Sequence, residues 1–144
     1  MNFQPKNPLY QQAIEEVLKQ QNFMKHIGFE VTKITPGYVE GEIFFKDFLR
    51  QQIGFIHGGV IATLADVVCG IAAATLVSEF ENVVTSDLKI SFLNPGVGNR
   101  ILAQGWVIKA GSRMFFCEAE IIDADTQLLI AKSSATMVII PKLK

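Results

Sequence analysis

The sequence predicts an α+β fold in which a curved antiparallel β-sheet wraps around one long central α-helix. The first observation behind this is a run from Gly58 to Ser78 that is apolar on every helical face, with Val60, Ile61, Leu64, Val67, Val68, Ile71, Leu76 and Val77 interleaved with alanines. A helix of that kind has to be covered on several sides. Second, β-type runs stand on both sides of it, and those that follow are separated only by Asn94-Pro95-Gly96, Gly111 and Asp123-Ala124-Asp125. Such short turn chemistry favours antiparallel neighbours. Third, the 144 residues contain no repeat, linker or low-complexity segment, so a single domain over residues 1–144 is expected to share one core. A sheet that curls around the helix satisfies all three.

Residues 1–23 read as an N-terminal extension with a surface helix from Leu9 to Phe23, apolar at Ile14, Val17 and Leu18 with Glu15, Glu16 and Lys19 between them. Ile27 to Thr35 and Tyr38 to Phe45 alternate loosely about Pro36-Gly37 and form a hairpin. Phe48 to Ile56 has no clean period and contains Gly54, so it is a loop that delivers the chain to the helix. The central helix, residues 58–78, spans about 30 Å at 1.5 Å per residue. Four strands follow, Val83 to Leu93, Arg100 to Ala110, Ser112 to Asp123 and Leu128 to Ile140, as a meander.

Composition removes several function classes. The formal net charge is −1 with acidic and basic residues scattered singly, which gives no electrostatic footprint for nucleic acid or for an anionic membrane surface. Val60 to Val77 is apolar enough to resemble a membrane span, but it carries Asp66 and is followed by Glu79 and Glu81 instead of basic flanks, so a buried helix is expected. The first ten residues contain Pro5 and Pro8 and lack an apolar run, which is not a secretory signal; a cytoplasmic protein is expected. The two cysteines, Cys69 and Cys117, have neither zinc-site nor redox-motif spacing and read as core thiols; no metal site is expected.

The chemistry concentrates at the central helix. Asp66 is the only carboxylate between Asp47 and Glu79, and burying an unpaired carboxylate costs several kcal/mol unless something compensates. Gly58 and Gly59 open the same helix, where unpaired N–H groups at the positive end of the dipole can hold a carbonyl oxygen. Together these suit attack on an activated acyl group: the glycine amides hold the oxyanion, and the carboxylate removes a proton from water or attacks directly. A thioester fits, because its thiolate leaving group needs little protonation. Gly58 and Asp66 are, however, eight residues apart, about 12 Å along a helix axis, so one helix does not place both at one carbon. Two antiparallel helices from two chains would, forming two identical sites by an isologous contact. Structural readings of the same residues stand beside this one: a tight turn at Gly58-Gly59, Asp66 as the cap of a helix beginning there, and His57 as a backbone hydrogen-bond partner fixing the helix entry.

The stretch Gln51-Gln52-Ile53-Gly54-Phe55-Ile56-His57-Gly58-Gly59 leading to Asp66, followed by Thr85-Ser86-Asp87-Leu88-Lys89-Ile90-Ser91-Phe92-Leu93-Asn94-Pro95, closely resembles the PaaI-type acyl-CoA thioesterases of the hotdog fold. The resemblance runs from about Met24 to Ile140. It implies dimers that commonly pair again into tetramers, and no cofactor beyond the coenzyme A of the substrate. It also implies roles by position: Asp66 as the catalytic carboxylate, Gly58 as the N–H donor to the thioester oxygen, His57 near the carbonyl, and Thr85 orienting the water or the acid. The position six before the histidine, often Asn in that family, is Gln51, whose amide keeps the same donor and acceptor on a longer stem. Lys109-Ala110-Gly111-Ser112-Arg113 resembles the family's turn whose basic residue meets CoA phosphates, so Arg113 is the first candidate there, with Arg100 and Lys132 behind it. Gly59 completes the expected substrate contacts. Phe45, Phe48, Phe55 and Phe80 flank the helix or its loop and are candidates to line an acyl or aryl pocket.

The expected function is hydrolysis of an aryl- or medium- to long-chain acyl-CoA at sites shared between two subunits. Two alternatives remain at this point. A non-enzymatic acyl-CoA sensor uses the same fold, and a hotdog enoyl-CoA hydratase or dehydratase needs a histidine and a carboxylate jointly managing a proton at carbon, a pattern that His26 and His57 do not supply.

Overall fold

The computed structural model describes residues 2–142; Met1, Leu143 and Lys144, the extremes of the expected 1–144 domain, lie outside the described residues. Two short helices, α1 (Tyr10–Gln20) and α2 (Asn22–Ile27), lead into strands β1 (Phe29–Thr35) and β2 (Tyr38–Phe44). A single 3-10 turn at Asp47–Leu49 precedes the central helix α3 (Gly58–Ala74), and β3 (Glu81–Phe92), β4 (Arg100–Ala110), β5 (Met114–Asp123) and β6 (Leu129–Pro141) complete the chain. All pairings are antiparallel and the sheet order is β1-β2-β4-β5-β6-β3. The first hairpin and a meander of β4, β5 and β6 share one sheet, but the expected four-strand meander is not formed: residues 93–99 do not make a hairpin, so β3 pairs with β6 at the far edge and β2 takes the place beside β4.

Helix α3 packs on one face of this sheet and touches five of its strands closely, β2 through β6. Leu64, Ala65, Val68, Cys69, Ala72 and Ala73 face alternate residues of the meander, among them Ala103, Val107, Phe115, Cys117, Ala119 and Met137, all essentially removed from solvent. The alternation buried-exposed along β4 and β5 is the period-two signature of a sheet with one covered face. Gly105 sits where helix and sheet come nearest: a Cβ there would lie 2.6 Å from the backbone carbonyl carbon of Val68, so only glycine permits this approach.

Two boundaries differ from the sequence expectation. The N-terminal helix does not run unbroken from Leu9 to Phe23; the chain turns at Gln21 and starts α2, which lets Met24 and Ile27 join Ile14 in the core before β1 begins at Phe29. The central helix ends at Ala74 and not Ser78. Thr75 closes it: its buried hydroxyl donates to Ala72 O at 2.7 Å and accepts the Gly37 N–H at 2.8 Å, which ties the helix end to the turn between β1 and β2. Side-chain hydrogen bonding of this kind competes with continuation of the helix.

Asp123, which reads in sequence as a turn residue, is fully buried and clips two loops together. Its Oδ2 accepts N–H groups of Val97 (3.2 Å) and Gly98 (2.7 Å), and its Oδ1 accepts those of Asp125 (3.0 Å) and Thr126 (3.1 Å). Burial by itself would raise the pKa of this carboxyl, but the backbone N–H groups of Gly98, Thr126, Val97 and Asp125 outweigh it and hold the pKa below the ordinary aspartate value. A carboxyl with a lowered folded-state pKa stabilises the fold above its unfolded-state pKa, and that contribution is lost as the pH falls through the folded value. Asp123→Asn is accordingly expected to cost about 2 to 4 kcal/mol at neutral pH, measured by urea unfolding, and to flatten the loss of stability below about pH 4 relative to the parent chain.

Candidate active site

Asp66 lies in the third turn of α3, so it is not the cap of a helix starting there. Its side chain is half-buried, and Thr85 Oγ1 donates to its Oδ1 at 2.6 Å. Thr85 points at the helix because its strand is distorted next to it: the β3–β6 register shifts between Thr85 and Asp87, and a bulge of this kind re-aims a side chain. Among the described residues Oδ2 of Asp66 receives no hydrogen bond, which leaves one carboxylate oxygen for water or substrate.

The helix start is built differently. His57 is the N-cap, in extended conformation, and its Nδ1 accepts the Gly59 N–H at 2.8 Å. With Nδ1 accepting, the neutral imidazole carries its proton on Nε2. The His57 carbonyl takes the N–H groups of Val60 (2.9 Å) and Ile61 (3.2 Å). Of the first-turn amides, this leaves the Gly58 N–H without a protein acceptor among the described residues. The glycine pair therefore divides its work: Gly59 completes the cap, and the open donor is Gly58. The start is held in place by His57 N–H to Leu49 O at 2.8 Å and Ile56 N–H to Gly96 O at 3.1 Å.

The structure brings Asp66 and Thr85 together, and separately His57 and Gly59. It does not bring the two groups together, since eight helical residues, about 12 Å, lie between Gly58 and Asp66. Gln51 folds back into its own loop, its Oε1 accepting the Ile53 N–H at 2.6 Å. Arg100 and Arg113 flank the two ends of β4, roughly 34 Å apart at strand rise, so one coenzyme A bound to one chain does not meet both. Arg100 is paired with Glu42 (3.0 Å) and Lys132 with Glu120 (3.3 Å), while Arg113 is exposed at the β4–β5 turn.

A cavity of about 1000 Å³ lies between α1–α2, α3 and β3, and Asp66 and Thr85 stand in its wall. None of the four phenylalanines singled out in the sequence lines it. The Phe45 ring lies under the Arg50 guanidinium, 4.0 Å from centroid to Cζ; Phe48 packs beside His26; Phe55 is half-buried in the loop before the helix; Phe80 is exposed. Proximity in sequence to the helix was a poor guide because the loop holding three of them turns away from the cavity. The residues that sequence reading missed are on the N-terminal arm, where Val17 and Phe23 line the cavity. Their signal was present only as apolar side chains on a short, otherwise polar segment.

Residues 53–130 match the family model described as the thioesterase superfamily. The chain belongs to that superfamily. A medium/long-chain acyl-CoA thioesterase of Escherichia coli, YigI, is 33% identical over 135 residues, covering 81% of this chain and 84% of that protein. The crystal structure of a thioesterase family protein from Silicibacter pomeroyi superposes with a TM-score of 0.89 at 30% identity, covering 92% of this chain and 99% of the other. The Escherichia coli PaaI protein from the phenylacetic acid degradation operon superposes with a TM-score of 0.83 at 20% identity, covering 91% and 93%, a likeness of fold. The sheet wrapped on a long helix is thus the hotdog fold, and this thioesterase is by class a hydrolase of thioester bonds. No helix among the described residues is long and apolar enough to cross a membrane.

One further nucleophile sits close in sequence to Asp66. Cys69 is buried on α3 against Cys117 of β5, and the neighbouring thiol together with burial pushes the Cys69 thiol well above its usual range. A protonated, inaccessible thiol is inert. In the folded thioesterase neither cysteine is expected to react with a water-soluble disulfide reagent within minutes, whereas both react in guanidinium; Cys69→Ser is expected to keep thiol release within about twofold of the parent.

Proposed function

We propose that this thioesterase hydrolyses acyl-CoA to the free acid and coenzyme A in the cytoplasm, at two identical sites of a homodimer. Each site takes Gly58 and His57 from one chain and Asp66 and Thr85 from the other. The observation that carries the proposal is the hydrogen-bonded Thr85–Asp66 pair in a cavity wall, with the one open amide of the same helix about 12 Å away. Antiparallel pairing of two α3 helices closes that distance. Strand β3 supports the association: it ends the sheet, it is twelve residues long, and Val84 and Phe92 on it are exposed. Its outer backbone groups have no strand partner among the described residues, and a long open edge of this kind is a template for another chain. Ile108, Met114 and Phe116, exposed on the opposite face of β4 and β5, give the dimers a surface on which to form tetramers.

In this reading the Gly58 N–H polarises the thioester carbonyl at the positive end of the helix dipole. Asp66, held by the Thr85 hydroxyl, takes a proton from water as its oxygen bonds to the carbonyl carbon, or attacks that carbon itself and forms an anhydride that water then opens. Collapse of the tetrahedral intermediate expels the CoA thiolate, which is protonated from solvent. His57 presents its Nε2–H near the carbonyl, Gly59 shapes the approach to it, and Gln51 and Phe55 border the same loop. Arg113 is the assigned contact for CoA phosphates, with Arg100 of less use because Glu42 neutralises it. The reading requires no resident metal or redox cofactor.

Thiol release from a panel of aryl- and fatty-acyl-CoAs tests the activity: Asp66→Ala is expected to abolish it, and equal turnover by parent and variant would overturn the assignment. Thr85→Ala is expected to lower kcat about tenfold to a hundredfold, the cost of one hydrogen bond to a charged group.

Sharing of sites is tested by complementation. Gly58→Pro removes the amide at the first helical position, where proline is tolerated, and the extended backbone of His57 (φ −66°, ψ 136°) suits a residue preceding proline. The loss of one oxyanion donor is expected to lower kcat by about a hundredfold or more. Mixing Gly58→Pro with Asp66→Ala chains, unfolded and refolded together, is expected to restore about a quarter of parental activity, because half of the dimers are mixed and each has one intact site. No recovery on mixing would show that each site belongs to one chain.

A further inference from the structure

Two hydrogen bonds hold the backbone just before Gly58. That of His57 N–H to Leu49 O stays within one stretch of chain, whereas that of Ile56 N–H to Gly96 O, 3.1 Å, comes from the connection between β3 and β4. This connection meets the helix start at two further points. A Cβ on Gly96 would stand 2.5 Å from Ile56 Cγ2, and the ring of Phe92, where the connection leaves β3, lies 3.5 Å from the Cβ position of Gly58. Residues 93–99 form neither helix nor strand, so the accuracy of these contacts has to come from another element.

It comes from the turn between β5 and β6. Three consecutive amides of the connection point at carboxylates of that turn: Val97 and Gly98 donate to Asp123 Oδ2 at 3.2 and 2.7 Å, and Asn99 donates to Asp125 Oδ2 at 2.6 Å. Asp123 gives its other oxygen to the N–H groups of Asp125 and Thr126, so one fully buried carboxylate fastens the two segments together. Gly98 packs so tightly on it that a Cβ there would overlap Oδ1. Burying a carboxylate is costly unless its lone pairs are used, and here four amides use them. From Asp123 to Gly58 the path then runs through backbone alone: Oδ2 to Val97 N–H, one residue back to Gly96 O, across to Ile56 N–H, and two residues on to Gly58.

We propose that Asp123 is a positioning residue for the reaction: through Val97, Gly96 and Ile56 it sets where the Gly58 N–H stands against the thioester oxygen. The inference rests on the oxyanion role given to Gly58 above and deepens it. Asp123 itself touches no substrate. A misplacement of about 1 Å far from the reacting atoms costs on the order of a hundredfold in rate. Such a shift at an oxyanion donor acts on the transition state more than on substrate binding.

The test is a double-mutant cycle on kcat with one acyl-CoA ester that the parent hydrolyses, run at a temperature where circular dichroism shows each variant folded. Asp123→Asn is expected to lower kcat about tenfold or more with KM changed less than about threefold, as for an interaction made in the transition state. Introduced into Thr85→Ala, the same substitution is expected to lower kcat by the same factor, since separate sites add. Introduced into Gly58→Pro, which has already lost the donor, it is expected to change kcat less than about twofold. A loss of stability alone would lower kcat equally in both backgrounds. Gly96→Ala is the second variant: it leaves Asp123 and its amides in place, its φ lies outside the left-handed region, and it pushes on Ile56 and the tip of Ile130. It is expected to give the same pattern, and it decides alone if Asp123→Asn does not fold. Parental kcat in both folded variants, or an undiminished loss in the Gly58→Pro background, would overturn the positioning role while leaving the thioesterase reading intact. A parent that releases no thiol from any CoA ester, or a Gly58→Pro chain with parental kcat, removes the reading of the site on which that role rests.

Discussion

The packing of α3 against the meander is the contact on which everything else depends. Val68 comes so close to β4 that Gly105 has no room for a side chain, and the alanines of the helix allow the same approach along its length. That closeness lets a sheet curl around a single helix and bury its inner faces without a second layer. It also fixes what is left over. Once five strands have claimed the helix, the remaining strip carries Thr63, Asp66, Val67, Gly70 and Ala74, and this strip looks into a cavity instead of a core.

Placing a carboxylate on that strip resolves the energetic problem it poses. Asp66 is half-buried, so it retains water, and it gains a hydrogen bond from Thr85. The donor arrives on the sheet's terminal strand through a local distortion that turns the hydroxyl toward the helix. At the start of the helix, the histidine cap uses up the Gly59 amide and leaves the preceding one, that of Gly58, open. The positions are complementary but not adjacent, and their separation follows from helical geometry alone. A fold that holds both groups on one rigid rod obtains accurate placement of each.

Much of the fold was legible in the sequence because it is written in periodicity. A helix apolar on every side, strands with period two, and one- to three-residue turns leave few architectures open, and four strand positions after the helix fell within a few residues of those observed. Asp66, His57 and Gly58 were legible because a charge in an apolar run and glycines at a helix start are local anomalies. What local sequence left open depends on which surfaces meet. Phe45 and Phe48 sit near the site in sequence but pack beside Arg50 and His26. Arg100 and Arg113 belong to opposite ends of one strand. Asp123 sits in a run of turn residues, and nothing local announces that four backbone amides converge on it. The N-terminal arm, where a break at Gln21 redirects Met24 and Ile27 inward, was equally silent.

Thr85 is on a strand paired on one side only, next to a point where the ladder is already irregular. Such edges open at lower free energy than the centre of a sheet. The group that steadies Asp66 is therefore on one of the least protected elements of the molecule, while the helix bearing Asp66 is on the most protected. In a warming or denaturant series of the isolated chain, the ordering of the carboxylate is set to decay before the fold does, so local order at Asp66 and structural integrity are governed by two different thresholds.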